Sequence, residues 1–134
     1  MGQTAKDHGG RLKVEGNLIS AHIVRGLWEK YFAEKSMPKV EARNLTPKQF
    51  FRFIRDAESS KHIAPNSRES MLKEHGHIIP MEKRGGFVFY VKSEDKWIII
   101  RRSNCTVSVT DVLSHEMRHI FESIDAQGRN IRRQ

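Results

Sequence analysis

The sequence predicts an α+β domain: N-terminal helices, then a small antiparallel sheet containing a β-hairpin, then a final helix that carries the chemistry. Three observations predict it. Apolar residues recur at helical spacing in the first half of the chain. Two β-prone runs separated by a polar turn occupy residues 86–101. A helical segment with a cap follows at Thr110. Helices and strands therefore fall in separate blocks rather than alternating.

The elements are justified in chain order. Residues 1–16 are polar and glycine-rich and are expected to be a flexible segment, leaving 17–134 as a single domain. Over residues 17–34, Leu18, Ile19, Ile23, Leu27, Tyr31 and Phe32 recur at helical spacing, and Pro38 closes that helix. The second helix is marked at its start. Thr46 is its N-cap, Pro47 suits the first helical position and Gln49 completes a T-x-x-Q capping box. Phe50, Phe53, Ile54 and Ala57 then form an i, i+3, i+4, i+7 stripe. A short third helix is expected over residues 67–75, stopped by Gly76.

After Gly76 the pattern changes. Residues 77–79 read as a short strand and residues 86–92 as an aromatic-rich, alternating one. Residues 93–96 are a polar turn and 97–101 a second strand, so the two runs pair as a hairpin. Residues 106–109 are expected as a further extended piece. The last helix begins near Thr110, capped by that residue, with Asp111 complementing the positive end of the helix dipole. It is expected to end near Gly128.

Composition narrows the function classes. A chain of 134 residues with 37% hydrophobic and 30% charged residues is that of an ordinary globular domain. No apolar run approaches the roughly 18–20 residues of a spanning helix, so no membrane partner is expected. The opening residues contain no apolar signal region. The single cysteine, Cys105, allows no intrachain disulfide, which fits a reducing, cytoplasmic setting; Cys105 itself reads as a small core residue. The net charge of +8 is compatible with nucleic acid as a partner or with a merely solvated basic surface. Its densest clusters are Arg101-Arg102 and the tail residues Arg129, Arg132 and Arg133.

The final helix contains Ser114-His115-Glu116-Met117-Arg118-His119, an H-E-x-x-H pattern. Histidines four apart on a helix lie one turn apart on the same side, so His115 and His119 can reach one zinc ion. A zinc-bound water has a pKa near neutrality, and Glu116 is placed to take its proton as general base. At about 100° per residue, Leu113, Met117, Ile120 and Ile124 share one face, and His115, His119 and Glu122 share nearly the opposite one. Glu116 lies on the flank between them. Arg118 projects away from the apolar stripe. The other histidines read differently: His75 and His77 as loop residues, with a supporting or ligand role as the alternative, and His8, His22 and His62 as incidental.

These residues resemble the zincin metallopeptidases. The resemblance implies the N-terminal half of the zincin architecture over roughly residues 43–126: a backing helix, a small twisted sheet with an open edge strand, and the helix bearing the motif. It implies zinc as cofactor, a peptide or protein as substrate, and strand addition of that substrate to one strand of the 86–101 hairpin. His115 and His119 carry over as zinc ligands and Glu116 as general base. The family usually has an uncharged residue where Arg118 stands.

The third ligand has two candidates. Asp125, six residues after His119, matches the spacing of metzincin-like patterns and of the SprT-like and WLM-like families, although Glu122 occupies the metzincin glycine position. Glu122 lies on the histidine face if the helix runs on to Gly128. For each, a carboxylate that orients a histidine through a hydrogen bond and a plain surface acid are the alternatives. The expected activity is that of a minimal zinc-dependent metallopeptidase. The alternatives are a nucleic-acid-associated, SprT-like protease, whose binding would be strongly salt-dependent, and a non-catalytic basic module with a structural metal or none.

Overall fold

The run Trp97-Ile98-Ile99-Ile100 is apolar at every position, which is how a strand reads when helices cover both faces of its sheet. A computed structural model, describing residues 14–58 and 85–132, bears this out. The chain runs through β1 (Asn17–Leu18), α1 (Ala21–Tyr31), β2 (Val40–Leu45), α2 (Pro47–Glu58), β3 (Gly86–Val91), β4 (Lys96–Arg102) and α3 (Val109–Arg132). A turn of 3-10 helix, Lys92–Glu94, links β3 to β4, and Asp95 adopts a left-handed conformation (φ 48°) at its end.

The four strands form one sheet in the order β1-β2-β4-β3. β3 and β4 are the expected antiparallel hairpin, with Phe87 opposite Ile100 and Phe89 opposite Ile98. The sheet as a whole is mixed, not antiparallel as expected: β2 runs parallel to β4, Val40 opposite Trp97 through Leu45 opposite Arg102. The chain between them includes α2, the crossover that a parallel pair requires.

Alternation along the strands divides the core in two. Leu45, Phe87, Phe89, Val91, Ile98 and Ile100 pack with Phe50, Phe53 and Ile54 of α2. Ala42, Trp97 and Ile99 face the other way and pack with Val24 and Trp28 of α1 and with Leu113, Met117 and Ile120 of α3. The result is a sheet with α2 on one face and α1 and α3 on the other.

Several boundaries differ from the sequence expectation. The first helix starts at Ala21, because Ser20 caps it through the His22 amide (3.2 Å). Asn17 and Leu18 pair with β2 instead of joining that helix. Residues 14–16 also contact the fold. Val14 packs on the α2 side of the core, Glu15 pairs with Arg52 (2.6 Å), and Gly16 adopts φ 93° under Asn44, where a Cβ would strike the Asn44 carbonyl. Residues 106–109 form no strand; Val109 already belongs to α3. α3 runs beyond Gly128 to Arg132. Cys105 is half-buried in the loop before α3 rather than in the core, its Sγ accepting the Val107 amide (3.3 Å). The expected third helix, the strand over residues 77–79, and His8, His62, His75 and His77 lie outside the described residues.

The capping box at α2 forms as expected: the Gln49 amide donates to Thr46 Oγ1 (3.2 Å) and the Thr46 amide to Gln49 Oε1 (3.0 Å). Among the described residues no helix is long and apolar enough to cross a membrane.

Candidate metal centre

The site is built on α3. Its N-cap is Ser108, not Thr110 as expected: the Asp111 amide donates to Ser108 Oγ (3.2 Å) and the Val112 amide to the Ser108 carbonyl (3.0 Å). Both hydroxyls precede an acidic residue, and the one that can reach the third helical amide takes the role. Thr110 instead lies inside the first turn, where its carbonyl accepts Ser114 Oγ (2.7 Å). Asp111 remains in that turn, beside the positive end of the dipole.

Burial then fixes the rotation of the helix. Val112, Leu113, Met117 and Ile120 are buried against the sheet and α1, which leaves His115 exposed and His119 half-buried. The two imidazoles meet edge to face, with ring centroids 5.1 Å apart and planes at 86°. Arg118 is exposed, in keeping with the helical wheel.

Glu116 is the buried polar residue of the described core, 8% exposed. Its carboxylate reaches the start of β3: a Cβ on Gly86 would lie 3.4 Å from Glu116 Oε2. The missing Cβ of Gly86 leaves room for Val112, whose Cγ1 would stand 2.5 Å from it. β3 is an edge of the sheet, with no strand beyond it among the described residues.

The two candidates for a third ligand are placed differently. Glu122 is exposed. Asp125 forms an ion pair with Lys35 (3.3 Å) in the loop after α1, whose carbonyl in turn accepts Trp28 Nε1 (2.8 Å). Phe32, Trp28 and Phe121 pack together beside this pair, with Phe32 and Phe121 centroids 5.5 Å apart. The structure therefore brings His115 and His119 together and sets Glu116 beside β3. Among the described residues it assembles no group of three or more histidine, cysteine or acidic side chains that could hold a metal.

Two further residues shape the site and were not singled out by the motif. Gly86 matters through its missing Cβ. Arg101, which in the sequence belongs to a cluster of basic charge, binds Asn44 Oδ1 (3.0 Å) and the carbonyls of Val107 (2.8 Å) and Cys105 (3.3 Å). Neither role has a local sequence signal, because both depend on partners distant in the chain.

Comparison with family models, with curated proteins and with solved structures finds no match to this chain.

Proposed function

We propose that the protein is a zinc-dependent hydrolase, acting on peptides, with His115 and His119 as metal ligands and Glu116 as general base. The observation that carries this reading is the pair of imidazoles one turn apart on α3, with the carboxylate of the adjacent Glu116 buried against the start of β3, the edge strand among the described residues. Two neutral imidazoles are a suitable donor pair for zinc, and their separation suits convergence on one ion after small rotamer changes. Zinc bound there would supply Lewis-acid polarisation and a water acidified to near-neutral pKa.

The chain's own residues supply the rest. Glu116, next to His115 in the chain and held by burial against β3, would accept a proton and hand it to a leaving amine. β3 is the last strand of the sheet among the described residues, and an extended peptide adding along it would pass beside Gly86 and Glu116. The arrangement of β3, β4 and α3 is compatible with the zincin resemblance. Glu122, exposed and on the histidine side of the helix, is the preferred third ligand, since Asp125 is engaged by Lys35. A nucleic-acid-associated form of the same activity is the second reading, favoured by the net charge of +8.

Metal analysis of the purified protein tests the proposal. Stoichiometric zinc is expected in the native chain and should be lost in His119→Ala. Glu116→Gln should keep the metal and lower peptide hydrolysis by roughly 100-fold or more. A native protein without zinc, or a Glu116→Gln variant that still cleaves, overturns the reading.

A further inference from the structure

Three residues lie side by side at one end of the sheet, on the face that α3 covers. Arg101 of β4 is the register partner of Asn44 on β2 and of Gly86 on β3. All three share the alternation of Ala42, Ile99 and Val88, which pack on the α1 and α3 side. From this position the Arg101 guanidinium serves three acceptors. Nη1 donates to Asn44 Oδ1 (3.0 Å), and Nη2 donates to the main-chain carbonyls of Val107 (2.8 Å) and Cys105 (3.3 Å).

Those two carbonyls belong to the loop that enters α3. Val107 immediately precedes Ser108, the N-cap, and the helix then reaches His115 and Glu116 within two turns. Near its beginning the loop is held by the Ser103 amide donating to the Leu45 carbonyl (2.8 Å) and the Cys105 amide to the Arg102 carbonyl (3.0 Å), and within it the Val107 amide donates to Cys105 Sγ (3.3 Å). Close to the cap, the Arg101 fork ties the loop back to the sheet. On the neighbouring strand β3, Gly86, the other register partner of Arg101, lies against Val112 and Glu116. Strand, loop, helix and carboxylate thus form a closed circuit with Arg101 at its corner.

We propose that Arg101 is a positioning residue for the metal centre: by clamping the loop before α3 it sets where the first two turns of the helix, and with them His115 and Glu116, stand relative to β3. This rests on the zinc hydrolase reading for its consequence, though not for its geometry. The existence of α3 is secured by Leu113, Met117 and Ile120, which are fully buried. Arg101 therefore governs fine placement rather than folding. A helix transmits displacement along its axis as a stiff body, so movement of the cap is carried to Glu116. Arginine suits the role because its planar fork serves acceptors in two directions at once; lysine, a compact ammonium, cannot reproduce that geometry.

The experiment uses the full chain with Arg101→Leu, Arg101→Lys and, as control, Ile98→Val in the core on the α2 side. Zinc affinity is read by competition with a chromophoric chelator, and amide hydrogen exchange is followed along α3. Both Arg101 variants should bind zinc roughly tenfold or more weakly, the scale seen when the partners that orient metal ligands are removed. Exchange should quicken at residues 107–116 but not at residues 119–124. Ile98→Val should lose stability with zinc affinity unchanged. Native-like affinity and exchange in the Arg101 variants overturn the proposal, as does a change in affinity that only follows the loss of stability. If the native chain binds no zinc, the hydrolase reading fails by itself; exchange then decides, and a change confined to residues 107–116 upholds the clamp while none, or a uniform one, removes it. If Arg101→Leu does not fold, Arg101→Lys is judged by the same criteria.

Discussion

Gly86 lies against Glu116 and Val112 with no space to spare: a Cβ on Gly86 would stand 3.4 Å from Glu116 Oε2 and 2.5 Å from Val112 Cγ1. The first distance is ordinary contact, but the second cannot be tolerated without movement. Val112 is a branched, buried side chain near the start of α3, so relief must come from displacing the helix or the strand. Gly86→Ala is therefore expected to cost roughly 1–3 kcal/mol. It should also reduce hydrolysis about 100-fold, because a shift of order 1 Å spoils alignment at a reacting centre. Thermal unfolding and peptide hydrolysis check this. Adding Val112→Ala to Gly86→Ala should recover part of the stability even though Val112→Ala alone is destabilising, since the two changes share one contact.

The Lys35–Asp125 ion pair separates the two candidate ligands. Both side chains are about a third exposed, at 30% and 35%, so the pair contributes below about 1 kcal/mol. Its value is as a marker of where Asp125 is directed. Asp125→Ala should leave zinc binding intact and lower stability slightly, and Glu122→Ala should weaken zinc binding sharply. Chelator competition on the two variants settles the point. The reverse result would move the third ligand to Asp125 and require the Lys35 contact to open when metal binds.

The elements legible in the sequence were those whose signals are local. Thr46, Pro47 and Gln49 announce α2 because a capping box is satisfied within four residues. The β3–β4 hairpin was visible because its polar turn and apolar runs are adjacent in sequence. β2 was not. Its sequence V-E-A-R-N-L alternates only over its first four residues and breaks at Asn44, and Glu41 and Arg43 are accommodated by pairing with each other (2.7 Å) and with Lys96 of β4 (3.2 Å from Glu41). The parallel register that places Asn44 beside Arg101 is a long-range outcome and leaves no periodic trace. The motif on α3 shows the same division. The spacing of His115, Glu116 and His119 follows from helix geometry alone, whereas the surroundings of Glu116 depend on Gly86 and on the loop held by Arg101.

The cluster around Glu41 gives the fold a defined response to acid. Burial by itself would raise the pKa of Glu41, but hydrogen bonds and charge from Arg43 and Lys96 outweigh it and hold the carboxyl below the ordinary glutamate value. The native state thus binds a proton there less readily than the unfolded chain. The resulting stabilisation is fully present above the unfolded pKa of about 4.3 and disappears as pH falls through the lower native value. Glu41→Gln should accordingly be less stable than the native chain by about 1 kcal/mol at pH 7, the scale of a modest, partly shielded ion pair. The gap should narrow as pH falls below about 4.3, where the unfolded carboxylate takes up a proton that the native one resists, and level off once the native carboxylate is protonated too. Unfolding by urea at a series of pH values measures it. A gap that stays constant down to pH 2 would show that Glu41 acts through shape and hydrogen bonding alone, and that its charge does not couple β2 to β4.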